Sequence, residues 1–78
     1  MAVVRSDEAQ IVCDPKVRFG KPCIRGTRVA VSDVLRWFGS GMTADEILAA
    51  YPHLTREGLH AALRYAAALL DDEESEQE

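Results

Sequence analysis

The chain has 78 residues, of which 47% are hydrophobic and 28% charged, and a formal net charge of −4. That length gives room for one domain with a small core, burying about 60% of the surface its unfolded form exposes, so it gains from a partner. No apolar run approaches the ~20 residues that cross a bilayer, Met1 to Ser6 lacks the apolar region of a signal peptide, and two cysteines are too few for a disulfide scaffold; a cytoplasmic protein is expected.

The charge is unevenly placed. Asp71 to Glu78 hold six carboxylates and no cation, and without them nine Lys/Arg face seven Asp/Glu, a balance of +2. Lys16 to Arg36 carry six cations against one acid, Asp33. The folded part is therefore mildly basic along one segment, and the acidity is expected in a disordered tail over 71–78.

Residues 1–9 are polar and weakly patterned, and read as a lead. Ile11 to Cys13 predict a short strand ended by the turn-forming pair Asp14-Pro15, and Cys23 to Arg25 predict its partner. Gly20 to Pro22 and Gly26-Thr27 punctuate that second strand, with Gly26 expected in a conformation costly for other residues. Two strands alone are marginal in water, so the ribbon must pack on helices or pair with another chain. Cys13 and Cys23 are expected to be reduced, small buried side chains, with a cross-strand disulfide as the alternative.

The first helix is expected to start at Ser32 as N-cap, with Asp33 at the positive end of the helix dipole. Val34, Leu35 and Phe38 follow at helical spacing beside Trp37, and Gly39-Ser40-Gly41 ends the helix. The second helix carries a capping box, Thr43 to Glu46, and a staple from Met42 to Ile47; Pro52 stops it. The third starts at Thr55, with Leu54 placed to staple onto Leu59, and Leu59, Leu63, Ala66 and Leu70 form its apolar stripe, widened by Ala62, Tyr65 and Leu69. The short Tyr51-Pro52-His53-Leu54 link suits a helix-turn-helix. Residues 1–70 are thus read as a mainly α domain, a three-helix bundle after a short N-terminal β-hairpin.

The run Gly20-Lys21-Pro22-Cys23-Ile24-Arg25-Gly26-Thr27-Arg28-Val29, together with Val34-Leu35, Gly41-Met42-Thr43, Glu46-Ile47-Leu48 and Tyr51-Pro52-His53-Leu54-Thr55, resembles the domain-of-unknown-function family 433 over roughly Ile11 to Ala68. The resemblance implies a homeodomain-like three-helix fold preceded by a small β-hairpin. Members of that family are regarded as candidate antitoxins, often encoded beside a PIN-like ribonuclease. Ala30 departs from the pattern, since the family often has proline there, which loosens the turn into the first helix.

If the helix-turn-helix reads DNA, the third helix is the recognition helix, and Arg56, His60 and Arg64, spaced four apart, would contact base edges or phosphates. The competing reading is a solvated face, because the remainder of the helix is alanine-rich. Ala61, Ala66, Ala67 and Ala68 either admit a close protein neighbour or simply favour helix. Lys21, Arg25 and Arg28 are candidates for binding a partner: an arginine inserted among the acidic residues of a nuclease would compete with its metal. Arg28 could instead pair with Asp14 or Asp33 inside the domain. The acidic tail either solubilises the chain or mimics RNA phosphates. Ser32, Ser40, His53 and His60 form no catalytic triad, and the two histidines and two cysteines lack zinc-site spacing, so no enzyme, metal or cofactor is expected.

The expected function is that of an antitoxin in a toxin–antitoxin pair, binding a cognate PIN-like ribonuclease and its own operator DNA, as a homodimer or higher oligomer. Trp37, Leu69 and Leu70 exceed what so small a bundle covers, which is the reason for expecting self-association. The alternatives are a stand-alone DNA-binding transcriptional regulator and an adaptor that binds no nucleic acid.

Overall fold

The computed structural model describes residues 10–77, with side chains described through Asp71. It is mainly helical. A two-stranded antiparallel hairpin, β1 (Ile11–Cys13) and β2 (Pro22–Ile24), precedes three helices, α1 (Val31–Gly39), α2 (Ala44–Ala50) and α3 (Arg56–Gln77). In the ladder Ile11 faces Ile24, Val12 faces Cys23 and Cys13 faces Pro22. Cys13 and Cys23 therefore point to opposite faces of the ribbon. Both are free thiols, but only Cys23 is buried; Cys13 is exposed, contrary to the expectation for both.

Two tight turns shape the ribbon. Between the strands, Arg18 (φ 53°), Phe19 (φ 59°) and Gly20 (φ 82°) are all left-handed. Two successive non-glycine residues in that region cost on the order of 1–3 kcal/mol each, so something must hold them there. Arg18 supplies the constraint: its Nη1 donates to the Arg28 carbonyl at 2.7 Å and to Asp33 Oδ2 at 2.9 Å. After β2, the chain reverses between Ile24 and Thr27, whose N–H donates to the Ile24 carbonyl at 3.0 Å. Gly26 sits there at φ 77°. Thr27 Oγ1 donates to the Ile24 carbonyl at 2.8 Å and accepts from the Val29 N–H at 2.9 Å, locking the turn. The Gly-Thr pair is thus a backbone device.

The first helix begins earlier than expected. Its N-cap is Ala30, and Ser32 lies within the helix. Asp33 decides the start, because its Oδ2 accepts the Ala30 N–H at 3.0 Å. That is the return half of a capping box, supplied without a hydroxyl at the cap. The second start is as expected: Thr43 Oγ1 accepts from the Glu46 N–H at 3.1 Å, and Glu46 Oε1 accepts from the Thr43 N–H at 2.8 Å. At the third, Thr55 Oγ1 accepts from the Gly58 N–H at 3.0 Å.

Ile47, Leu59 and Val34 are the largest fully buried side chains, and Ile11, Ile24, Val29, Val31 and Leu54 complete the core around them. Helix α3 packs against α1, α2 and both strands. Its buried face is rotated from the expected stripe: Gly58, Leu59, Ala61, Ala62 and Ala66 are buried, while Leu63 and Leu70 are exposed. Small residues face inward because the ribbon comes close. A Cβ on Gly58 would lie 3.2 Å from Ile24 Cγ2 and 3.3 Å from Thr55 Oγ1. The alanines that were read as a surface for another protein thus serve, at Ala61 and Ala66, the chain's own core.

The disordered tail expected over 71–78 is not confirmed over the described residues, which end at Gln77. Helix α3 continues without a break to Gln77. Glu and Gln are good helix formers, and no glycine or proline interrupts the run. No described helix is long and apolar enough to cross a membrane.

Candidate functional site

Arg25 and Arg28 lie on either side of the Gly26-Thr27 turn, and both line an open cleft of about 810 Å³. Its other walls include Asp14 from the end of the first strand and Tyr51 and His53 from the link between α2 and α3. Three separate pieces of the sequence are needed to build it. The turn is rigid for the reasons given above, so the two guanidinium groups project from a fixed backbone rather than a loose loop. The Tyr51 wall is fixed as well: its ring stacks on Trp37 of α1 with centroids 4.6 Å apart and planes 17° from parallel. Offset aromatic stacking of this kind adds about 0.5–1.5 kcal/mol beyond the area buried.

Lys21, grouped with these arginines on sequence grounds, belongs elsewhere. It lines a second, mostly apolar groove with Pro22, Leu35, Tyr65, Leu69 and Leu70. Nor does Arg28 make the internal ion pair considered for it. Arg18 takes that role, bonding Asp33 at 2.9 Å while Arg36 approaches the same carboxylate at 3.2 Å. Burial alone would push the Asp33 carboxyl up, but the Arg18 hydrogen bond, the Ala30 N–H and Arg36 together hold it below the ordinary carboxylate value. Burial pushes the Cys23 thiol, which faces the cleft, above its usual range. A thiol that stays protonated is a poor nucleophile.

Arg56, His60 and Arg64 are all exposed along α3. The structure surrounds them with acids. Arg56 forms an ion pair with Asp45 of α2, and Arg64 approaches Glu57 at 3.6 Å. Exposed pairs such as these are worth about 0–1 kcal/mol, so they can exchange for phosphate contacts, but the surrounding carboxylates weaken the local positive field. Among the described residues no three His, Cys, Asp or Glu side chains gather as metal ligands.

Reading the sequence alone missed three residues. Spacing along the chain gives Tyr51 and His53 only as parts of the link after the second helix, and only the folding-back of that link against the Arg25–Arg28 turn makes them cleft walls. Phe19 was passed over altogether, yet it is 99% exposed. A signal was available there: an aromatic residue belonging to neither strand pattern, set among cations just before Gly20-Lys21.

The same segments recur in other proteins. A solved crystal structure of a DUF433 member protein from Anabaena variabilis ATCC 29413 superposes with a TM-score of 0.74 at 34% identity, covering 86% of this chain and 66% of that one. Among curated proteins, the uncharacterized protein y4eO of Sinorhizobium fredii (strain NBRC 101917 / NGR234) is 36% identical over 58 residues, 74% of this chain. The chain spans only about a quarter of that relative, 26% of its length. The profile of the family described as Protein of unknown function (DUF433) matches residues 11–66, which takes in both turns of the ribbon, the cleft and the first part of α3. With most of the described fold inside that match, the chain belongs to the DUF433 family.

Proposed function

We propose that the chain is the antitoxin of a type II toxin–antitoxin pair, a cytoplasmic, non-catalytic protein that silences a PIN-like ribonuclease. The observation that carries this reading is the pairing of Arg25 and Arg28 on one rigid turn at the mouth of an open cleft. Nucleases of that kind gather carboxylates around a divalent metal. A guanidinium presents planar, bidentate donors that match a carboxylate, and its charge replaces that of the metal. A turn already locked by Thr27 loses little freedom on insertion, so more of the contact energy appears as affinity. Tyr51 and His53 would then meet the rim of the nuclease.

Growth rescue tests it. Co-expression with a PIN-like nuclease encoded in an adjacent reading frame should restore growth, and Arg25→Ala with Arg28→Ala should abolish rescue. Removing one side of a buried charge pair costs several kcal/mol of binding. Rescue lost only on deletion of residues 71–78 would move the inhibitory element to the acidic run. Absence of rescue by the unaltered chain would remove the antitoxin reading.

A second reading, operator binding, draws on the order α2, short link, α3 and the exposed Arg56, His60 and Arg64. In it the three helices form a homeodomain-like helix-turn-helix, with the chain either an autoregulating antitoxin or a stand-alone transcriptional regulator. Because Asp45 and Glu57 occupy two of these cations, binding by the chain alone should be weak, governed by phosphates and steeply salt-dependent. Tight, salt-insensitive and sequence-selective binding would contradict that expectation and favour the regulator.

A further inference from the structure

We infer that Phe19 is a self-association knob: the ring of one copy enters the apolar groove beside the ribbon of a second copy, whose own Phe19 returns the contact. The ring lies 99% exposed and its backbone is left-handed, at φ 59°. Phenylalanine is poorly suited to that conformation, and here strain is held in place by Arg18 with the ring left in solvent among the described residues. The groove is about 440 Å³ and is formed by Pro22, Leu35, Tyr65, Leu69 and Leu70, with Lys21 at its rim. Leu35, Leu69 and Leu70 are each more than 40% exposed there.

Knob and groove are neighbours along the chain. Lys21 and Pro22 follow Phe19 by two and three residues, so the turn that carries the ring runs straight into the groove wall. A two-fold axis between them sends each ring into the other copy's groove, as a self-complementary interface requires. Charge favours the same occupant. The ring is flanked by Lys16 and Lys21, while beyond Leu70 the sequence continues with Asp71 and the acidic run. The sequence that follows the Leu70 side of the groove is therefore opposite in charge to the incoming ribbon, while the groove's own Lys21 and the net charge of −4 on each copy oppose it. Both halves of the contact are already present in one chain, so a second copy is the occupant.

Sedimentation of the full chain across the micromolar range tests this. The unaltered chain is expected to dimerise. Phe19→Asn should weaken dimerisation roughly a hundredfold or more, because the ring–groove contact occurs twice in the pair. Asparagine accepts the left-handed backbone, so circular dichroism should show an intact fold. Leu70→Glu, which leaves the ring but charges the groove, should also give monomers. Mixing the two variants should restore association in part, since one knob and one groove remain intact between them. A monomeric parent chain, an unweakened Phe19→Asn dimer, or a mixture no more associated than its components would each overturn the inference. It does not depend on the neutralisation reading: growth rescue reports Arg25 and Arg28, and sedimentation reports Phe19.

Discussion

The ribbon and the helical bundle are held together by different physics. From Ile11 to Ala30 the chain has three-residue strands and shapes itself through backbone conformation and side-chain–backbone hydrogen bonds: left-handed Arg18, Phe19, Gly20 and Gly26, the double bond of Thr27, and the reach of Arg18 to the Arg28 carbonyl. From Val31 onward, helices with capped starts bury Val34, Ile47 and Leu59 completely. The bundle is the more forgiving of exchange on its surface, because apolar burial is non-directional. The ribbon tolerates less, because each of its bonds has a geometry. The two regions meet where Ile24 lies against the bare flank of Gly58 and where Arg18 reaches Asp33 at the start of α1.

The sharpest test of that contrast is a cavity in the bundle. Leu59→Ala should cost about 2–5 kcal/mol, measured by urea denaturation. For a chain this small such a loss is a large part of the total stability. If the loss were under 1 kcal/mol, the bundle would not be the region that supplies the stability.

Next comes the ribbon's backbone. An added Cβ at Gly26 meets no neighbour within 4 Å, so substitution there measures conformational strain alone. Gly26→Val should destabilise by about 1–2 kcal/mol, since a β-branched residue resists positive φ. An unchanged melting temperature would show that the turn relaxes freely, and the rigidity assigned to the Arg25–Arg28 pair would go with it.

A smaller effect is expected from Thr43→Ala, which removes one acceptor of the α2 capping box at an exposed position. About 1 kcal/mol is the expected loss, read as a shift in the denaturation midpoint with an unchanged slope.

The last test probes the junction and is the mildest. Asp33 titrates below its unfolded value of about 3.9. Its contribution is therefore fully present above that pH and disappears as pH falls through the lower folded value. Stability should decline on acidification below about pH 4, and Asp33→Asn should flatten this decline while lowering stability at neutral pH. An equally steep acid limb in Asp33→Asn would mean that another carboxylate ties the regions together.

Much of the bundle was legible because its signals are local. Thr43 and Glu46 are within one turn of each other, Leu54 and Leu59 straddle a helix start, and Pro52 ends a helix regardless of its surroundings. Gly26 was legible for the same reason. The start of α1 was not: Ser32 is the better cap by residue type, but Asp33 can reach the Ala30 N–H, and the Cys23–Ala30 bridge keeps Ala30 extended and outside the helix. The α3 stripe was displaced because periodicity alone does not say how closely a neighbour approaches. Gly58 faces inward against Ile24 of the ribbon, and Ala61 and Ala62 are buried where α3 packs on α1, α2 and the strands.

What the sequence by itself determined is the list of elements, the caps of α2 and α3, the helix stops, the basic segment and the family resemblance. Each depends on residues within a turn of one another or on a motif read in order. What only the tertiary structure decided is the company each side chain keeps. Arg18, rather than Arg28, found Asp33 fifteen residues away; Arg56 was given to Asp45; Arg25 and Arg28 were joined by Tyr51 and His53, while Lys21 was turned toward an apolar groove. Such pairings follow from how the ribbon lies on the bundle, and that is set by the sum of many small packing contacts, none of which is written in the spacing of residues along the chain.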